Sequence, residues 1–214
     1  MVQIIPAVLA TTEEAFGQDL DKIQSSDALK DGWVHIDFAD NKFVPNQTIT
    51  PSQLANQSIQ LKKEAHLMVD NPLEWIDELA RAGFARIIFH LEAKDDTLEC
   101  IKAIEVKGLQ TGIAINHQTP LSEIEQYIGK IEGVLMMAIE PGFQGKPFIP
   151  ESLEKIRQFK ARGWQVSLAV DGAVRDENAK QLVEAGVDRL IVGSFLLKGN
   201  LDENLERLWE AVKS

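Results

Sequence analysis

Eight short apolar runs of strand length recur along the 214 residues, each separated from the next by a longer polar or amphipathic stretch. The runs are Gln3 to Leu9, Trp33 to Asp37, Ala65 to Val69, Arg86 to His90, Gln110 to Ile115, Gly133 to Met137, Gln165 to Val170 and Arg189 to Val192. Helical periodicity fills the gaps at Thr12 to Ile23, Pro72 to Ala82, Asp95 to Lys107, Ile149 to Arg162, Asp176 to Ala185 and Asn200 to Lys213, and more weakly at Ser52 to Gln57. Thr11 or Thr12 offers an N-cap for the first of these. Strands that are apolar on both faces and joined through helices belong to a parallel sheet covered on both sides. Eight such units close into a barrel more naturally than they extend as an open sheet, so the expected fold is α/β, a single (β/α)8 TIM barrel over residues 1–214.

An imperfect internal repeat supports this. Leu79-Ala-Arg-Ala-Gly-Phe-Ala-Arg-Ile-Ile and Leu182-Val-Glu-Ala-Gly-Val-Asp-Arg-Leu-Ile each end a helix at glycine and enter a strand. A formal net charge of -11 argues against a broad surface for nucleic acid or anionic membrane, although a local anion site is compatible with it. No apolar run approaches the ~20 residues that span a bilayer. The first residues do not read as a secretory leader, and the single cysteine, Cys100, forms no intrachain disulfide, so a cytoplasmic location is expected.

The four histidines are placed unevenly. His35, His66 and His90 lie within or at the end of expected strands, and His117 follows another by two residues. Barrel active sites are built at strand C-termini, so a shared mouth is expected. In Trp33-Val34-His35-Ile36-Asp37, the two-residue spacing sends His35 and Asp37 to the same face. Imidazole with carboxylate suits zinc, iron, manganese or cobalt, while a buried His–Asp hydrogen-bonded pair is the alternative for this strand alone. His66 lies on another apolar strand, and Asp171 closes Ser167-Leu-Ala-Val-Asp. One divalent metal ion shared by these groups explains them jointly better than separate turn, cap and pairing roles. Asp40, Glu64, Glu92 and Glu140 are left as supporting or solvated carboxylates.

Glycines form a second pattern. Gly142-Phe143-Gln144-Gly145 follows the sixth strand, Gly172 the seventh, and Gly193-Ser194 the eighth. Small residues after barrel strands let backbone amides approach a phosphate, a dipolar cradle that an acidic protein can carry without lysine or arginine. Any one of these glycines on its own reads as a turn.

At these residues the chain resembles the ribulose-phosphate 3-epimerase family across most of its length. The resemblance lies in Pro6-Ala-Val-Leu, His35-Ile-Asp37, Phe43-Val-Pro-Asn46, His66-Leu-Met68, Asn116, Glu140-Pro-Gly-Phe143, Phe148-Ile-Pro150, Asp171-Gly172 and Gly193-Ser194. It implies that His35, Asp37, His66 and Asp171 hold a divalent metal and that Asp37 and Asp171 form the acid–base pair. It also implies that Met68 and Met137 pack near the reacting carbons, against an alternative reading of both as core filling. Asn116, Ser194 and the glycine loops with Phe143, Gln144 and Ala173 would then contact substrate. Departures accompany it: Ala7 stands where the family usually has Ser, Ala39 for Met, Asn41 for Gly, Lys42 for His, Gln144 for a small residue, Lys146 for Gln and Ala173 for the second Gly.

The implied reaction inverts C3 of a phosphorylated ketose, D-ribulose 5-phosphate to D-xylulose 5-phosphate, through a cis-enediolate. Removing a proton from one face and returning one to the other needs two bases, which Asp37 and Asp171 on distant strands can supply. The alternatives are 3-epimerization of a ketohexose 6-phosphate such as allulose 6-phosphate, and a non-catalytic phosphosugar-binding barrel. A decarboxylase or aldolase reading is disfavoured because no Asp-x-Lys-x-x-Asp motif is present. A phosphorylated ketose is the expected partner, with no nucleic acid, no membrane and scope for a homo-oligomer.

Overall fold

The computed structural model describes residues 2–143 and 145–213. Eight parallel strands close in sequential order: β1 Gln3–Val8, β2 Trp33–Ala39, β3 Lys62–Met68, β4 Arg86–His90, β5 Gln110–Ile115, β6 Gly133–Met137, β7 Ser167–Asp171 and β8 Arg189–Val192, with β8 paired back to β1. The connecting helices are α1 Glu13–Gln24, α2 Leu73–Arg81, α3 Thr97–Val106, α4 Leu121–Ile124, α5 Glu151–Ala161, α6 Asp176–Glu184, α7 Ser194–Leu197 and α8 Leu201–Lys213.

Local chemistry sets the helix ends. The Thr12 hydroxyl accepts the Ala15 amide at 3.2 Å, and the Asp96 carboxylate accepts that of Glu99 at 3.0 Å. The two repeated glycines, Gly83 and Gly186, take positive φ (74° and 107°) as α2 and α6 stop, which a side-chain-bearing residue would resist.

Apolar residues sort into two layers. Val8, Ile36, Phe38 and Leu67 on the strands pack with Phe16, Leu20, Ile76 and Leu79 on the helices, filling the space between sheet and helical ring. The alternate strand residues Ile5, Ala7, Ile88, Ala114, Leu135, Met137, Ala169 and Ile191 form a separate cluster with no helical member, which is the barrel interior.

Several boundaries differ from expectation. β3 begins three residues early, at Lys62, because pairing with β2 starts at Trp33↔Lys62. β2 runs on to Ala39, and β7 starts at Ser167 and includes Asp171, whose carbonyl accepts the Ala138 amide at 2.7 Å. The helix expected at Ser52 to Gln57 is only a short 3₁₀ turn, Pro51–Leu54. The Thr50 amide donates to the Gln53 side chain there, closing the turn locally instead of propagating it. Between β5 and β6 the helical element is short, one α turn leading into a 3₁₀ segment, Glu125–Lys130. Among the described residues, no helix is long and apolar enough to cross a membrane.

Candidate active site

The register of the barrel brings the four expected ligands together. Asp37 on β2 lies opposite His66 on β3, and His35 precedes Asp37 by two positions on the same strand face. Asp171 arrives from the far side on β7, opposite Met137 of β6. One donor atom from each of His35, Asp37, His66 and Asp171 lies within 4.8 Å of the others. His66 Nδ1 stands 2.8 Å from Asp37 Oδ1 and 3.9 Å from Asp171 Oδ2, while His35 Nε2 is 3.3 Å from Asp37 Oδ1.

Both imidazoles are fully buried. His35 Nδ1 is held by Glu64 at 2.7 Å, whereas its Nε2 faces the cluster without a hydrogen-bond partner. A buried ring nitrogen left open toward two carboxylates and a second imidazole fits a cation, and two nitrogens with two oxygens match the ligand chemistry of zinc, iron, manganese or cobalt.

The two carboxylates are electrostatically unlike. Burial opposes charge on Asp37, but the neighbouring His35 and His66 imidazoles outweigh it and hold the carboxyl well below the usual range. Burial, reinforced by the negative charge of Asp37, pushes Asp171 up to about 6. Burial also opposes charge on His35, yet Asp37 and Glu64 raise its pKa to about 10.

Above the cluster opens a cleft with about 540 Å³ of empty space, its mouth included. Asp37, Asp171 and Arg175 are its only ionisable lining residues among those described. Met68, Met137, Gly142, Phe143, Gly145, Gly172, Ala173, Gly193 and Ser194 all line it, as does Ala7. Gly172 has φ 113°, and a Cβ there would come within 2.9 Å of the Ile139 amide nitrogen, so the turn after β7 requires glycine. The Asn46 side chain donates to the Gly142 carbonyl at 2.7 Å and ties the loop after β2 to the loop after β6. Gln144, expected in the phosphate loop, lies outside the described residues.

Other expected residues stand elsewhere. His66 and Asn116 do not border the cleft. His66 is enclosed between Asp37 and His90. The backbone of Asn116 is engaged away from the cleft, its amide by Glu92 at 2.9 Å and its carbonyl by Lys155 at 2.7 Å. His90 is buried behind His66, and His117 sits 3.7 Å from Glu140 rather than joining the mouth. Asp40 caps its own turn through the amides of Lys42 and Phe43. Arg175, Ile139, Val174 and Phe195 line the cleft without having been singled out from the sequence. For Arg175 the available signal was its position four residues past Asp171.

The sequence model of the Ribulose-phosphate 3 epimerase family matches residues 3–197. The chain belongs to the ribulose-phosphate 3-epimerase family. Ribulose-phosphate 3-epimerase of Chlamydia muridarum is 34% identical over 205 residues, covering 92% of this chain and 89% of that one. The enzyme of the same name from Escherichia coli K12 is 34% identical over 200 residues, covering 90% and 88%. Membership of this epimerase family makes the chain an enzyme of the isomerase class. Its barrel is also similar to 3-hexulose-6-phosphate synthase (TM-score 0.70, 13% identity, covering 99% and 100% of the two chains) and to KGPDC from Streptococcus mutans (0.72, 11%, 100% and 98%). At such identities the likeness is one of fold.

Proposed function

We propose that this epimerase interconverts D-ribulose 5-phosphate and D-xylulose 5-phosphate by proton transfer between C3 and two carboxylates, Asp37 and Asp171. The observation that carries the reading is that a single cleft presents these two carboxylates, brought from separate strands, and no other acid among the described residues. Their unlike environments suit a pair in which one group is poised as base and the other as acid, with roles exchanged in the reverse direction. His35, Asp37, His66 and Asp171 would hold one divalent ion, and the open ring nitrogen of His35 supports that donor set. Such an ion supplies positive charge that favours a developing enediolate.

The rest of the cleft serves orientation. The amides after β6, β7 and β8, near Gly142, Gly145, Gly172, Ala173, Gly193 and Ser194, would face the substrate phosphate. Arg175 adds a cation at the cleft wall. Met68 and Met137 would provide an apolar, polarizable floor beside the reacting carbons. The pentulose is favoured over a ketohexose phosphate because both relatives are named ribulose-phosphate 3-epimerase.

The test is incubation of metal-loaded protein with ribulose 5-phosphate in deuterated water, beside allulose 6-phosphate and unphosphorylated ribulose. The expected result is formation of xylulose 5-phosphate carrying deuterium at C3, with the other two sugars turned over far more slowly. Binding of the two phosphorylated sugars without exchange would instead support a non-catalytic phosphosugar-binding barrel.

A further inference from the structure

Behind the cluster, a line of buried polar groups runs away from the cleft. His66 Nε2 lies 3.0 Å from His90 Nε2, and His90 Nδ1 lies 3.1 Å from Glu92 Oε2. The other carboxylate oxygen of Glu92 accepts the Asn116 amide at 2.9 Å and the Thr119 hydroxyl. Both histidines are fully buried, with the His90 ring packed between Phe43 and His66 at centroid distances of 4.8 and 5.1 Å.

The direction of each hydrogen bond follows from its end. An ionised carboxylate only accepts, so His90 Nδ1 carries the proton that Glu92 receives. A neutral His90 then offers a lone pair at Nε2, and among the described residues the group placed to donate to it is His66 Nε2–H. A neutral His66 with its proton on Nε2 has a bare Nδ1. That atom lies 2.8 Å from Asp37 Oδ1 and 3.9 Å from Asp171 Oδ2, where a lone pair facing carboxylates requires a cation. His35 is arranged the other way round: Glu64 takes its Nδ1 and leaves Nε2 open. The two rings therefore turn opposite nitrogens toward one point.

We propose that His90 is a positioning residue that fixes the tautomer of His66, linking it to Glu92 so that Nδ1 is kept free to bind the metal. This rests on the four-residue metal site proposed above. Partners behind a ligating histidine typically change metal affinity by about 10–100-fold when removed.

The test uses zinc and the full chain. In zinc-loaded protein, nitrogen-15 NMR is expected to place the His66 proton on Nε2 and that of His90 on Nδ1. In chelator competition His90→Phe, which retains a ring of similar shape, is expected to bind zinc 10–100-fold more weakly. His90→Gln, whose amide oxygen can accept from His66, is expected to recover part of that loss. A proton on His66 Nδ1 in the loaded protein, or zinc affinity of His90→Phe within twofold of the parent, would overturn the positioning role. The NMR measurement on the parent decides the question even where a variant fails to fold. A parent chain that takes up no zinc, iron, manganese or cobalt would overturn the site itself and the relay with it.

Discussion

Among the described residues, Asn41 and Ala173 are the only ones other than glycine with positive φ, at 59° and 51°. Both stand where the resemblance read from the sequence implies glycine, in a backbone conformation that a side chain disfavours. Asparagine tolerates it through its short polar side chain, but alanine does not. Ala173→Gly is therefore expected to raise stability by roughly 0.5–1 kcal/mol, the relief of left-handed strain exceeding the added freedom of the unfolded chain. Urea denaturation measures this directly, and a loss of stability would show that Ala173 is held by packing instead. Glu92 offers a residue-scale test in pH. Burial opposes its charge, but hydrogen bonds from His90, Thr119 and the Asn116 amide lower its pKa from 4.5 to about 2. A carboxylate with a depressed folded pKa stabilises the fold above its unfolded pKa and loses that contribution as pH falls. Stability is thus expected to decline between about pH 4.5 and 2, and Glu92→Gln to flatten that slope in acid titrations followed by circular dichroism.

At the level of elements, the alternation of apolar runs and helical periods was enough to locate all eight strands, and the His–x–Asp spacing on β2 was enough to pair two ligand candidates. The start of β3 was hidden because Lys62-Lys63-Glu64 looks like a polar loop. Its meaning appears only across the barrel, where fully buried Glu64 meets Arg86 at 2.5 Å, Arg189 at 3.2 Å and His35 at 2.7 Å. Glu64→Leu would leave two arginines facing an uncompensated interior and is expected to cost about 3–5 kcal/mol, as when one partner of a buried ion pair is removed. Thermal unfolding would register that loss, and an unchanged midpoint would mean that the arginines find water. The roles of His90 and Arg175 were equally out of reach, because they depend on which strand ends and loops become neighbours, whereas sequence spacing reports only on residues within one element.

For the whole molecule, closure of the barrel turns motifs scattered from residue 35 to residue 194 into one cleft set above a polar cluster. If that cluster holds the cation, dialysis against a chelator should abolish turnover, and returning a divalent transition metal should restore it. The two-base reading is tested most directly by following deuterium exchange at C3 and inversion separately in Asp37→Asn and Asp171→Asn, each with metal occupancy verified. Each variant is expected to lose inversion while the surviving carboxylate still exchanges the proton on its own face, so that one labels only ribulose 5-phosphate and the other only xylulose 5-phosphate. Substantial inversion by both metal-loaded variants would contradict the two-base account.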